Sequence, residues 1–389
     1  MDRAVRQPEY FRCREHRSAS VFATILVGLL CGVQVGCGGS SSGMPGGGGP
    51  PPPVFTTIDV AEAGTSSGQG TFGLRVNLAG DVAGYYIDSG GMNHGFIRSA
   101  AGVITTVDVP VIGNLGTLIV AIDGASDTAG YYFDSQDAQH SFVRSADGTI
   151  TTFDPPNSNP GSGAQSINDG GTVAGGFVDA NGAHGYLRAP DGTFTTFDPT
   201  GSGTQIRIVI PYEINASGAV TGTYIDNNGV YHGFLRDPSG SVTVLDAPGA
   251  VDEANFGTDV VDLNASGTTV GGIGVGVVNG ISTTHSLMRA TDGTYTSFDP
   301  PQSGAHSSLA EAINDSGTVV GIYRDASLVR HGYLSQTDGT FISLDDPDAA
   351  QLPLSDTNLG TDPRDINANG VVVGFYTDAN GVRHGFIWQ

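Results

Sequence analysis

The sequence predicts an all-β fold: a seven-bladed β-propeller of four-stranded blades, closed by its own N-terminal strand. Three observations predict it. A histidine recurs with an aspartate 14 positions downstream, as His94/Asp108, His140/Asp154, His184/Asp198, His232/Asp246, His285/Asp299 and His331/Asp345. The last histidine, His384, lies too near the C-terminus for such a partner. Its missing segment stands at the other end of the repeats, in Phe55-Thr56-Thr57-Ile58-Asp59, so Asp59 is expected beside His384. The His-to-His intervals of 46, 44, 48, 53, 46 and 53 residues suit a four-stranded unit and lack a helical period. The 60 Gly and the low aromatic share, 8%, agree with many short strands joined by tight turns.

Residues 1–36 read as an export signal. Arg3, Arg6, Arg12, Arg14 and Arg17 precede the apolar run from Val21 to Leu30, and small residues lead to Gly36. That run is about half of what a bilayer-spanning helix needs. Residues 37–53 form a Gly/Ser/Pro-rich tether, flexible at first and stiffer at Pro50 to Pro53. Gln34-Val35-Gly36-Cys37 resembles the lipobox of bacterial lipoproteins, with Gln34 in place of the usual Leu. The resemblance implies lipid attachment at Cys37, and Gly38 after it resembles the outer-membrane class. Cys13, Cys31 and Cys37 are the only cysteines, so residues 54–389 hold no disulfide, Cys-based zinc site or thiol nucleophile.

One unit shows the grammar of residues 54–389. Asn168-Asp169-Gly170-Gly171 reads as a type I turn, repeated at Asn215, Asn264, Asn314 and Asn367. A second turn lies around Asp179-Ala180-Asn181-Gly182. The third, Ala189-Pro190-Asp191-Gly192, places Pro, Asp and Gly as a three-residue hairpin with a Gly bulge requires. That loop sets a register in which Arg188 faces Phe194, Tyr186 faces Thr196 and His184 faces Asp198, with Cβ atoms about 5 Å apart. Gly185 then faces Phe197 and leaves room for its ring.

A His beside an Asp suits a catalytic dyad or a metal site. Seven alike copies argue instead for a structural pair, the imidazole N–H bonded to the carboxylate. Asp365-Ile366-Asn367-Ala368-Asn369-Gly370 looks like an alternating calcium loop, but the other copies lose the first Asp, which favours an Asx turn. His-Gly-Phe-Leu-Arg followed by Asp-Gly-Thr and Phe-Asp resembles the HAF-type bacterial extracellular repeats over roughly residues 54–389. Gly or Ser stands where that pattern has Ala after the His. The resemblance implies an exported, propeller-like repeat protein of undefined activity.

All 16 basic residues are Arg. Without residues 1–36 the chain keeps 11 of them against 36 acids, a net charge of −25, which repels phosphate backbones and excludes nucleic acid as a partner. No Walker or His-Glu-x-x-His motif occurs, and no cofactor is expected. The expected molecule is a monomeric, non-catalytic binding or scaffolding module at the cell envelope. Its ligand is a polysaccharide or a protein, and its only membrane contact is the lipid anchor. Binding would use the irregular parts: the apolar Gln205–Tyr212 loop, the altered hairpin at Ile273–Gly280, and the long connection with Asp348, Asp356, Asp362 and Arg364. The alternative is a carbohydrate-active or lyase-type enzyme using Glu213 and Glu311, two of the four Glu beyond the tether (with Glu62 and Glu253), read as repeat-equivalent positions facing the axis.

Overall fold

The computed structural model describes residues 54–389 apart from 111–112, 160, 200–205, 279–280, 302, 304–306 and 351–358. The export signal and the tether with Cys37 lie outside the described residues. Among those described there are strands and turns but no helix.

The first unit is β2 (Gly70–Val76), β3 (Val82–Ile87), β4 (Asn93–Arg98) and β5 (Ile104–Val107), an antiparallel meander. The same order recurs in β6–β9 (Thr117–Phe153), β10–β13 (Gly161–Phe197), β14–β17 (Ile206–Leu245), β18–β21 (Thr258–Phe298) and β22–β25 (Ser307–Leu344). The last unit joins β26 (Gly360–Ile366), β27 (Val372–Thr377) and β28 (Arg383–Trp388) to a strand from the other end of the chain. This is β1 (Phe55–Ile58), antiparallel to β28 with Phe55 opposite Trp388 and Ile58 opposite Gly385.

The turn chemistry explains the registers. Gly192 takes φ +88°, its N–H reaches the Ala189 oxygen at 2.9 Å, and Ala189 N–H reaches Thr193 at 2.9 Å. The strands beyond it pair Arg188 with Phe194, Tyr186 with Thr196 and Gly185 with Phe197. A Cβ on Gly185 would lie 2.4 Å from the Phe197 ring, so only Gly fits there.

The first strand of each unit carries a bulge at one repeated place, as at Gly73/Arg75, Ala164/Ser166, Pro211/Glu213 and Ala310/Ala312. The extra residue shifts the strand by one and re-aims the side chains beyond it.

The core lies between neighbouring units rather than within one. Phe197 and Ala174 of the third unit pack with Val209, Ile214 and Phe234 of the fourth. Two junctions add buried polar groups. Ser141 Oγ meets Ser162 Oγ at 2.6 Å and Tyr186 Oη at 2.9 Å, and Ser286 meets Ser308 and Tyr333 at 2.7 and 2.8 Å. Where Gly follows the His, the next unit supplies Phe or Leu at the tyrosine's position, as with Gly95 and Phe142.

The recurring Asn of the first turn does more than turn the chain. Its Nδ2 donates to the main-chain oxygen of the equivalent residue in the next unit. The links run Asn77 to Asp123 at 3.1 Å, Asn168 to Asn215 at 3.1 Å and Asn215 to Asn264 at 3.2 Å. They continue from Asn264 to Asn314 at 3.3 Å, Asn314 to Asn367 at 3.2 Å, and Asn367 back to Asn77 at 2.9 Å.

Three expectations need correction. Ile206–Ile214 is a nine-residue strand, not a loop, because its apolar side chains are buried on both faces, Ile208, Val209, Ile210 and Tyr212 among them. Asp362 and Arg364 belong to β26, and Asp362 is buried, held by Arg330 and by Arg364 Nε at 3.0 Å. The altered hairpin is an extension of paired strand, β19 (Thr269–Val278) against β20 (Ile281–Arg289), ending at Val278 opposite Ile281. Asp356 and residues 279–280 lie outside the described residues.

Candidate functional site

Two sets of polar residues concentrate chemistry in this fold. The first is the repeated histidine. Every His of the pattern places Nδ1 on its expected Asp: His94–Asp108 at 3.0 Å, His140–Asp154 at 2.7 Å, His184–Asp198 at 2.6 Å and His232–Asp246 at 2.9 Å. The others are His285–Asp299 at 2.6 Å, His331–Asp345 at 3.0 Å and His384–Asp59 at 2.8 Å. An ionised carboxylate only accepts, so Nδ1 carries the proton.

For several of these histidines Nε2 faces a second carboxylate that the sequence reading missed. Asp179 lies 3.0 Å from His184, Asp134 3.4 Å from His140 and Asp325 3.5 Å from His331. The ring also lies on an aromatic residue of the neighbouring strand, Tyr224 on His232 with centroids 4.7 Å apart and Tyr376 on His384 at 5.0 Å. The signal was present, since a Tyr stands eight residues before most of these histidines. In the fifth unit Ile273 occupies the aromatic position opposite His285.

The carboxylates shift the imidazoles. Hydrogen bonds donated to Asp246, Asp345 and Asp59 raise the pKa of His232, His331 and His384. Burial pulls His140 and His184 down, but their paired carboxylates outweigh it and the net shift is upward. Met92 N–H lowers Asp88, and Asn181 N–H lowers Asp179. A raised His stabilises the fold fully below about pH 6.5 and loses that contribution as pH rises through the folded pKa. A lowered Asp contributes above about pH 3.9 and loses it as pH falls. The melting temperature is therefore expected to fall by a few degrees between pH 6 and 8.5. Replacing His140, His232 and His331 by Gln should flatten that limb in a thermal-denaturation series. A wild-type limb that is already flat contradicts the assignment.

The second set lines a cavity of about 180 Å³ on which the first strands of all the units converge. Its walls include Arg75, Ala121, Ser166, Glu213, Asp262, Ile313 and Asp365. Apart from Ile313 these side chains follow the bulge, which turns them inward.

Burial raises the pKa of Glu213, and Arg75 opposes the rise. Burial, then the charges of Glu213 and Asp365, push Asp262 well above the usual carboxylate range. Most of these groups already serve as latches between units. Asp262 Oδ2 accepts Ile313 N–H at 2.7 Å, Asp365 Oδ2 accepts Val76 N–H at 2.8 Å, and Ser166 Oγ accepts Ile214 N–H at 3.1 Å. Ser166 in turn donates to Glu213 at 2.7 Å, and Arg75 stands 3.8 Å from the same carboxylate.

The expected pair of glutamates does not form. Glu213 precedes Asn215 by two residues and lines the cavity, whereas Glu311 precedes Asn314 by three. Glu311 is itself the bulged residue of β22 (Ser307–Ile313), so it is buried away from the cavity, 3.8 Å from Arg364 of the next unit. The two positions are successive, not equivalent. At the calcium-like loop, Asn367 Oδ1 accepts Asn369 and Val371 N–H at 2.9 and 3.1 Å, the geometry of an Asx turn.

The chain matches no family model and no curated protein sequence. Solved structures do resemble it. A streptogramin B lyase superimposes with TM-score 0.55 at 13% identity, over 86% of this chain and 97% of that one. A virginiamycin B lyase from Staphylococcus aureus gives TM-score 0.54 at 12% identity, over 87% and 99%. The β-propeller domain of the trilobed protease from Pyrococcus furiosus, described as having an open velcro topology, gives 0.54 at 8%, over 84% and 95%. At such identities the likeness concerns the fold alone, and the fold is an all-β propeller of four-stranded blades.

Proposed function

We propose that residues 54–389 form a seven-bladed propeller closed by β1, exported and held at the bacterial cell envelope by a lipid on Cys37. There it acts as a non-catalytic recognition or scaffolding module. The observation that carries the non-catalytic part is how the repeated polar groups are used. Every patterned His is clamped by its own blade, and the inward Ser and Asp side chains bind backbone N–H groups of the next blade. The cavity, at about 180 Å³, is below the roughly 300 Å³ at which small-molecule pockets begin. The export-like segment and tether support a location outside the cytoplasm, where the proposed ligand is a polysaccharide or protein surface.

A lyase-type or carbohydrate-active reading centred on Glu213 is second, favoured by the raised pKa of a carboxyl group in a cavity. One experiment separates the two. The mature protein is titrated against a panel of envelope polysaccharides and envelope proteins, with binding and turnover both recorded. Binding without turnover, unchanged in Glu213→Gln, is expected. Turnover that Glu213→Gln abolishes sinks the scaffold reading. In the same cells Cys37→Ala should move the protein from the membrane fraction to the soluble one without unfolding it, since the lipid adds affinity only through its buried methylenes. Unchanged membrane association removes the anchor from the proposal.

A further inference from the structure

The cycle of turn-to-turn hydrogen bonds has one exception. Six of its positions are Asn, and the remaining one is Asp123. Its Oδ1 does what Oδ1 of Asn168, Asn215, Asn314 and Asn367 does, accepting Ala125 and Asp127 N–H at 2.9 Å each. Asn215 makes the same two bonds to Ser217 and Ala219, at 3.1 and 3.0 Å. By the same frame, Oδ2 of Asp123 replaces the amide nitrogen that the Asn positions direct at the next unit's main-chain oxygen, which here is that of Asn168. A carboxylate oxygen in that role cannot donate, and only a protonated carboxyl can make the bond.

We infer that Asp123 is a proton-operated latch between the second and third blades. Protonated, its carboxyl O–H donates to the Asn168 oxygen and completes the cycle; ionised, it leaves that junction without its link.

The charges around it favour the closed form. Asp127 stands on its own turn, Asp169 on the third blade's turn accepts Gly124 N–H at 2.8 Å, and Asp81 on the first blade's turn accepts the Ser126 hydroxyl at 2.6 Å. Beyond Ile122 lie the cavity's Arg75, Glu213, Asp262 and Asp365. Burial, with the Asp127 and Asp169 carboxylates, raises the Asp123 pKa, while Asp127 and Ala125 N–H oppose the rise. A raised Asp stabilises the fold below its unfolded pKa and loses that contribution as pH rises through the folded one.

Asp123→Asn, which donates at every pH, tests this. Its melting temperature should exceed wild type by about 2 °C at pH 8, and the gap should close near pH 4. Because both proteins keep their histidines, those contributions cancel in the difference. The gap should persist in about 1 M salt, which screens the neighbouring carboxylates. A gap that is absent at pH 8, independent of pH or erased by salt overturns the latch. Should the variant fail to accumulate, a carboxyl-carbon NMR titration of Asp123 in the unmodified protein decides. A midpoint above the usual Asp range supports the latch, and one at or below that range overturns it.

Discussion

Deleting residues 54–60 is expected to destabilise the whole propeller and promote aggregation, whereas deleting residues 38–53 should leave its stability unchanged. β1 contributes far more than four paired residues. Ile58 and Val60 are 2% and 3% exposed and pack with Val82, Tyr86 and Phe96 of the first blade and Val373 and Ile387 of the last. Each such side chain stabilises by about 1.5–3 kcal/mol on burial. Phe55 meets Phe386 edge-on at 5.2 Å, Asp59 holds His384, and Val60 N–H reaches Thr71 Oγ1 at 3.0 Å. The combined loss is several kcal/mol against a total stability of about 5–15 kcal/mol. Without β1, β28 also presents unpaired N–H and C=O groups along its outer edge, a template for another chain. Thermal unfolding and size-exclusion chromatography of the two deletions make the comparison. A 54–60 deletion that melts with the wild type and elutes as a monomer ends the closure proposal.

Gly130→Ala is expected to cost about 3 kcal/mol, the upper end of what one added methyl group does in a packed interior. A Cβ there would stand 2.0 Å from the Leu118 carbonyl oxygen, and backbone has no side-chain freedom to give way. The clash belongs to the architecture. Gly84, Gly222, Gly321 and Gly374 meet the Phe72, Ile210, Leu309 and Asp362 oxygens at 2.0, 2.1, 2.2 and 2.1 Å. Each lies opposite the bulge that turns the cavity residues inward, so this glycine lets the bulge exist. Gly218→Asn is the contrast, because Gly218 has φ +84° with open space around it, and Asn tolerates that conformation. Urea denaturation should show a lower midpoint for Gly130→Ala and little change for Gly218→Asn. A Gly130→Ala loss below about 0.5 kcal/mol, the scale of an ordinary surface change, contradicts the close approach.

The sequence by itself determined whatever a hairpin loop controls. A short loop with Gly at the αL position sets which residues face one another, and side chains alternate with period two, so one loop carries its register along both strands. That is why the 14-residue spacing announced His184 against Asp198, while the segment ending at Asp59 announced its partner 325 residues away by repeating the sequence of the other outer strands. Only the tertiary structure decided what lies between blades. Counting back from the Asn turn already puts Glu213 and Glu311 at successive positions, but it could not show that the bulge falls on the residue equivalent to Glu311 and turns the one equivalent to Glu213 inward. The Ser141–Tyr186 contact and the cycle of Asn side chains share one cause. Each joins groups that lie on separate blades, 45 or more residues apart, where no loop geometry transmits a register and packing alone sets the distance.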